Sequence, residues 1–229
     1  GRLHLPDVAT LDAAPKHSQQ VGRLLTAAEE SGVGVDLLSA AAVEGADVDP
    51  TRGDPSFSVG EIDLYALGPA DWDGAGRDGG VPNETHAPTQ NQASAVLYAA
   101  HEAGDGVLTG DVEGVSAQQI GERYDLSDAR WSQLTHHGGI WGGGHLLDAA
   151  DPEAVVVPGR SSSTRLRAGV TEQLAAHADA DIVVVNGRAG FRDAASILLP
   201  VAGGPHSGLA ADVAAAVAAD RDAWIDVLH

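Results

Sequence analysis

Short apolar runs alternate with amphipathic helical patterns along this chain, and the alternation limits the fold more than any other feature. Residues 181–185, DIVVV, form a continuous apolar run of strand length. Residues 17–31 instead repeat apolar side chains at helical spacing, and Gly32 ends the pattern. The apolar positions of that helix are Val21, Leu24, Leu25 and Ala28. No apolar run approaches the ~20 residues that cross a bilayer. The sequence therefore predicts an α/β fold with helices outside sheets and without a membrane span.

The predicted elements follow one another closely, with one long interruption. Strands are predicted at 2–6, 33–39, 61–69, 94–101, 105–110, 130–135, 153–159, 181–187 and 191–200. Helices are predicted at 17–31, 113–124, 146–150, 164–177 and 208–228, the last with Val213, Val217, Trp224 and Val227 turned inward. The interruption is the polar stretch 70–90, and its length is typical of functional loops. We expect a mobile loop there, within a single domain that spans 1–229.

The strongly acidic composition is better explained as an adaptation to a salt-rich solvent than as a property that selects a binding partner. The formal net charge is −20, from 33 acidic against 13 basic residues, and Lys16 is the only lysine. Such a surface repels nucleic acid and anionic membranes at ordinary salt. Abundant Asp with almost no Lys resembles the acidic proteins of extreme halophiles, and in molar salt the Debye length falls to about 3 Å. Nucleic-acid binding is therefore compatible only with high salt. The absence of cysteine excludes disulfides and thiolate metal sites within this chain.

Two predicted strands end on side chains that bind metal ions in other proteins. Asp111 follows the strand 105–110, directly after Thr109 and Gly110, and a carboxylate there projects into a cleft with little steric hindrance. His136 and His137 follow the strand 130–135, and imidazole is the usual nitrogen ligand of zinc. Each candidate ligand can also be explained without a metal ion. An Asp after a strand is a common turn residue, and a His pair on the surface is often inert.

These residues belong to a longer pattern that resembles the metallo-β-lactamase superfamily. The closest resemblance is to the hydrolase domain of ComEC-type DNA-uptake proteins. It is carried by Asn91 and Ser94, then by Leu108-Thr109-Gly110-Asp111 with Glu113, then by His136-His137-Gly138, and then by Pro152 with Ala154-Val155-Val156. The order of elements agrees from about residue 1 to residue 190, and the motifs are specific only over 91–159.

The resemblance implies a four-layer αββα sandwich, of which this chain carries the C-terminal two-thirds, and a metal-dependent hydrolase of phosphodiesters. Asp111 would ligate one or two zinc or manganese ions, with His136 or His137 as a further ligand or as a group that stabilises the transition state. The resemblance also favours an extracytoplasmic location. Weaker expectations for substrate contact are Asn91, Ser94, His145 and Arg160. For His145 a helix N-terminal position is the alternative, and for Arg160 a solvated surface position is the alternative.

Two departures from the family pattern keep a second hypothesis open. None of the ten histidines forms the H-x-H-x-D-H ligand cluster of the family. We expect that the cluster, if it exists, comes from an N-terminal segment before Gly1 or from another chain. The residues after the strand 153–159 read GRSSSTRL and lack the N-x-Y-G-H-P motif. The chain alone would then be inactive, and the alternative is a catalytically silent binding or assembly module with the same fold.

Overall fold

The computed structural model describes residues 1–6, 15–40, 45–69, 94–112, 114–135, 143–158, 179–185, 195–201 and 206–228. Its described part is a mixed α/β structure with a seven-stranded mixed sheet, two two-stranded sheets and four helices. The chain divides into two compact units. Unit 1 comprises Gly1–Pro158 with Gly169–Val183, and unit 2 comprises Gly159–Ala168 with Val184–His229. The α/β prediction is confirmed, and the single domain and the αββα layering stay predictions.

Unit 1 begins with a β-α-β motif. Strand β1 (Arg2–Pro6) and strand β2 (Gly34–Leu38) pair in parallel, and helix α1 (Pro15–Glu30) connects them. Gly32 adopts a φ of 64°, and the N–H of Val33 donates to the carbonyl of Ala28 at 2.8 Å. This is a Schellman motif, in which a glycine in the left-handed region ends the helix, as the sequence predicts.

The seven-stranded sheet forms the centre of unit 1. Its strands lie in chain order: β3 (Phe57–Val59), β4 (Ile62–Gly68), β5 (Val96–Ala100), β6 (Asp105–Leu108), β7 (Ala129–Gln133), β8 (Ala154–Pro158) and β9 (Asp181–Val185). Strands β3 to β6 pair antiparallel, whereas β6, β7 and β8 pair in parallel. His4 of β1 stacks on Phe57 of β3 with ring centroids 4.0 Å apart, so the β1–β2 pair contacts the β3 end of this sheet.

Two helices connect the parallel strands and cover the sheet. Parallel neighbours need a crossover connection, and here α2 (Gly114–Arg123) joins β6 to β7 while α3 (Gly143–Ala150) joins β7 to β8. Buried sheet residues of the core are Val96, Tyr98 and Val107, and their helical partners are Ala117, Ile120, Leu146 and Ala150. The helices pack closely, because a Cβ added at Gly121 of α2 would lie 3.1 Å from the carbonyl oxygen of His145. The core therefore fixes the ends of β6 and β7 relative to each other.

Unit 2 contains a second β-α-β motif, and here the predicted helix 208–228 is wrong. Helix α4 (His206–Arg221) ends earlier, and Trp224–Leu228 forms strand β11, which pairs in parallel with β10 (Ser196–Pro200). Asp222 adopts a φ of 51°, and the N–H of Ala223 donates to the carbonyl of Ala218 at 3.0 Å. Trp224 is 75% exposed, not turned inward. The helical pattern misled because a run of Ala fits any helical register, whereas a Schellman motif formed by an Asp leaves little signal.

Smaller differences complete the comparison with the predicted elements. Strand β3 lies between the predicted strands 33–39 and 61–69, where no strand is predicted, and Leu24 of α1 is 43% exposed. Strand β10 lies within the predicted strand 191–200, of which residues 191–194 lie outside the described residues. The stretch 70–90 and the helix at 164–177 lie outside the described residues. Among the helices of the described residues, none is long and apolar enough to cross a membrane.

Candidate functional site

The parallel pairing of β6 and β7 brings the two predicted metal-binding segments to one edge of the sheet. Val107 of β6 pairs with Ser132 of β7. Beyond the paired residues, the Thr109 hydroxyl donates to the carbonyl oxygen of Gln133 at 3.0 Å. The segments Thr109–Asp111 and Leu134–Thr135 therefore leave the sheet side by side. We call this the carboxyl edge, because it lies at the carboxyl ends of β6, β7 and β8.

A tight turn directs Asp111 away from β6. Gly110 adopts a φ of 55°, and the N–H of Val112 donates to the carbonyl of Thr109 at 3.3 Å. A Cβ added at Gly110 would lie 3.1 Å from the carbonyl oxygen of Ala95, so both the backbone conformation and the space favour glycine. Asp111 follows in this turn and is partly buried. The turn thus explains why glycine precedes the carboxylate.

Ser94, which the sequence predicts as a substrate contact, lies against this turn. Strand β5 runs antiparallel to β6, so the residues before β5 lie at the carboxyl edge. A Cβ added at Gly110 would lie 3.6 Å from the Ser94 Cβ and 4.0 Å from its Oγ. Ser94 is only partly buried. The structure therefore brings a predicted hydroxyl next to the turn that precedes the predicted carboxylate, although Ser94 and Asp111 are 17 positions apart in the chain.

Thr135 is a carboxyl-edge residue that the sequence analysis did not single out. The residue is 1% exposed, and its Oγ1 has no hydrogen-bond partner among the described residues. Thr109, on the neighbouring strand end, is equally buried at 0% but has its partner in Gln133. The available signal was its position, between the apolar Leu134 that follows β7 and the His pair. Sequence alone does not show whether a hydroxyl is buried or paired.

The remaining predicted site residues divide into one described and four undescribed. His145 is exposed in the first turn of α3, which agrees with the helix N-terminal alternative. His136, His137, Asn91 and Arg160 lie outside the described residues. Within the described ranges, no group of three or more His, Asp or Glu side chains is arranged to hold a metal ion. Carboxylate oxygen and imidazole nitrogen are suitable donors for zinc and manganese. The described edge contributes the Asp111 carboxylate, and the two imidazoles follow Thr135 directly in the chain.

The opposite end of the same strands has different chemistry. We call it the amino edge, because β6, β7 and β8 begin there. The Asp105 carboxylate accepts hydrogen bonds from the Tyr98 hydroxyl at 2.9 Å and from the backbone N–H of His101 at 3.0 Å. Burial, together with the Asp105 hydrogen bond, raises the pKa of Tyr98. Arg130 and Glu153 form a salt bridge of 2.8 Å between exposed side chains. These polar groups satisfy one another.

Comparison with known proteins adds no family to this geometry. No protein-family model matches the chain, and no curated protein matches it.

Proposed function

We propose that this chain supplies one side of a metal-dependent hydrolase site for phosphodiesters, within an αββα sandwich of the metallo-β-lactamase type. One observation carries the proposal: β6 and β7 pair in parallel, so that Thr109-Gly110-Asp111 and the segment ending at Thr135 leave the sheet together. In α/β sheets, ligands bind in the crevice outside the carboxyl ends of the strands. Of the residues that carry the resemblance to the superfamily, Ser94 and Thr109-Gly110-Asp111 lie at this edge.

The residues of the carboxyl edge would have two roles, which follow from their chemistry: metal ligation and contact with the substrate. Asp111 would provide a carboxylate oxygen to a zinc or manganese ion, and His136 or His137 would provide nitrogen. The bound ion would supply an activated water and neutralise charge that develops on the phosphoryl oxygens. Ser94, whose Oγ lies near the Gly110 turn, would donate a hydrogen bond to the substrate. Asn91 and Arg160 remain proposals for the same surface.

A second candidate is a silent binding or assembly module with the same fold. The observation that favours it is the absence of any H-x-H-x-D-H spacing among the ten histidines. A structural or catalytic zinc site needs three or four protein ligands, and Asp111 with the His pair provides at most three. In this alternative the carboxyl edge would bind a partner without a metal ion.

The decisive experiment is metal analysis of the purified protein in molar potassium chloride, together with its intact mass. We expect about one or two zinc or manganese ions per chain or complex, and hydrolysis of bis(p-nitrophenyl) phosphate. Asp111→Ala should reduce both to background. Asp54→Ala is the matched control, because it removes the same charge from an exposed turn of unit 1. A metal-free protein that hydrolyses no phosphodiester would reject the hydrolase and leave the binding module.

A further inference from the structure

The parallel pair β10–β11 of unit 2 has two faces of opposite exposure. Residues that pair across the two strands point to the same side, so Ile197, Leu199 and Ile225 share one face, and helix α4 packs on the pair. Leu199 is 8% exposed, and Ala214 and Ala218 of α4 are buried as well. The side chains of the opposite face are all exposed: Ser196, Leu198, Pro200, Trp224, Asp226 and Leu228. We call these residues the open face.

The open face is mostly apolar, although it is exposed to solvent. Trp224 is 75% exposed, Leu198 is 65% exposed and Leu228 is 56% exposed. Strand β10 reads SILLP, and such a nearly continuous apolar run is typical of parallel strands that are covered on both faces. Tryptophan is enriched in protein–protein interfaces, because it buries a large apolar area. The composition therefore indicates that a second surface covers the open face.

The distribution of charge between the two units indicates the chemistry of that second surface. Unit 2 contains six arginines and five aspartates, so its charges nearly balance, whereas the whole chain has a net charge of −20. Unit 1 therefore carries almost all of the excess negative charge, and a basic partner would be attracted to unit 1. The open face contains one charged side chain, Asp226. It fits an apolar surface with little charge, and the open face of a second copy has this chemistry.

We propose that two copies of this chain associate through their open faces, as a symmetric dimer in which each copy presents the same surface. Contact between the charge-balanced units avoids the repulsion that two unit 1 surfaces would experience. The inference goes beyond the proposed function, because it depends neither on a metal ion nor on the carboxyl edge.

The dimensions of the open face determine how strong this dimer is. A strand of five residues is about 17 Å long, and neighbouring strands lie about 4.8 Å apart, so the open face measures roughly 17 by 10 Å. This area is smaller than the ~800 Å² per partner of a standard interface. The dimer is therefore weak and dissociates on dilution.

Sedimentation velocity of the full chain in molar potassium chloride tests the dimer. We expect the mass to rise from 23.3 kDa toward twice that value as the protein concentration increases. Leu198→Asp places a second carboxylate on the open face and should weaken the association roughly 10–100-fold, because a charge would be buried without a partner. Leu37→Asp is the matched control, since Leu37 is 52% exposed on the parallel pair β1–β2 of unit 1, and this variant should dimerise as the original protein does. Circular dichroism verifies that each variant is folded.

Asp226→Asn provides a change in the opposite direction. It removes the charge of the open face, whose burial opposes association, and should therefore tighten the dimer several-fold. A dimer whose affinity changes in neither Leu198→Asp nor Asp226→Asn would use another surface, and this result would overturn the inference. A chain that remains at 23.3 kDa at every concentration would overturn it as well. If that monomer binds anilinonaphthalene sulfonate and Leu198→Asp abolishes the binding, a partner other than a second copy covers the open face.

Discussion

The two ends of strand β6 carry one aspartate each, Asp105 at the amino edge and Asp111 at the carboxyl edge, and different elements surround them. At the amino edge, Asp105 accepts hydrogen bonds from the Tyr98 hydroxyl and the His101 backbone, and Arg130 and Glu153 pair beside it. At the carboxyl edge, Asp111 follows a glycine turn, and the buried Thr135 hydroxyl has no hydrogen-bond partner among the described residues. At the amino edge, the buried Tyr98 hydroxyl has its acceptor in Asp105. An unpaired buried hydroxyl in a native protein calls for an explanation, and a bound ligand is one.

The two edges also differ in how closely side chains pack around a glycine of each. At the amino end of β6, Gly106 lies against the ring of Trp131, so closely that an added Cβ would be 2.0 Å from a ring carbon. At the carboxyl end, the glycine serves a turn. The comparison teaches that the two glycines serve different purposes: Gly106 makes room for an aromatic ring, whereas Gly110 allows the backbone to turn.

The largest expected effect is a loss of stability when the close packing at the amino edge is disturbed. Gly106→Ala should destabilise the fold by about 1–3 kcal/mol or more, because the methyl group would overlap the Trp131 ring. Urea unfolding measures the change. Gly22→Ala on α1 is the control, since nothing lies within 4 Å of the added Cβ there, and the change in a helix should be neutral or stabilising. Equal stability of Gly106→Ala and the original protein would show that the amino edge is not tightly packed.

The next effect separates the two aspartates. Asp105→Ala should destabilise the fold by about 1–3 kcal/mol, because it leaves the buried Tyr98 hydroxyl without its acceptor. Thermal unfolding measures the loss. The variant should keep the metal content of the original protein at temperatures where it is folded, whereas Asp111→Ala should lose it. Loss of metal from folded Asp105→Ala would mean that the edges do not have separate roles.

The smallest effect is a pH dependence at the amino edge. The pKa of Tyr98 is raised in the folded state, by burial first and by Asp105 second. The unfolded chain therefore releases this proton first, near pH 10, and the stability contributed by the neutral phenol is lost as the pH rises above that value. The free energy of unfolding should fall with a slope steeper by about 1.4 kcal/mol per pH unit than in Tyr98→Phe. Identical slopes above pH 10 would show that the phenol is not held neutral.

Much of the secondary structure could be predicted from the sequence because local patterns specify it. The hairpin of β5 and β6, helix α2 and strands β7 and β8 lie within a few residues of their predicted positions. Strand β11 could not be predicted this way, because Trp224 and Val227 also fit a helical spacing. A continuous apolar run such as residues 181–185 is typical of a buried strand, yet Val184 and Val185 of β9 are 51% and 42% exposed. An apolar run predicts a strand without specifying what covers it.

The sequence by itself determined most of the helices and strands, the glycines at their turns and the carboxylate that follows β6, because these depend on neighbours along the chain. Only the tertiary structure decided that β6 and β7 pair in parallel, so that Asp111, Ser94 and Thr135 meet at one edge. It also decided which of the two buried threonines, Thr109 and Thr135, has a hydrogen-bond partner among the described residues. Strand pairing and hydrogen bonding join residues distant in sequence, and their outcome depends on packing across the sheet.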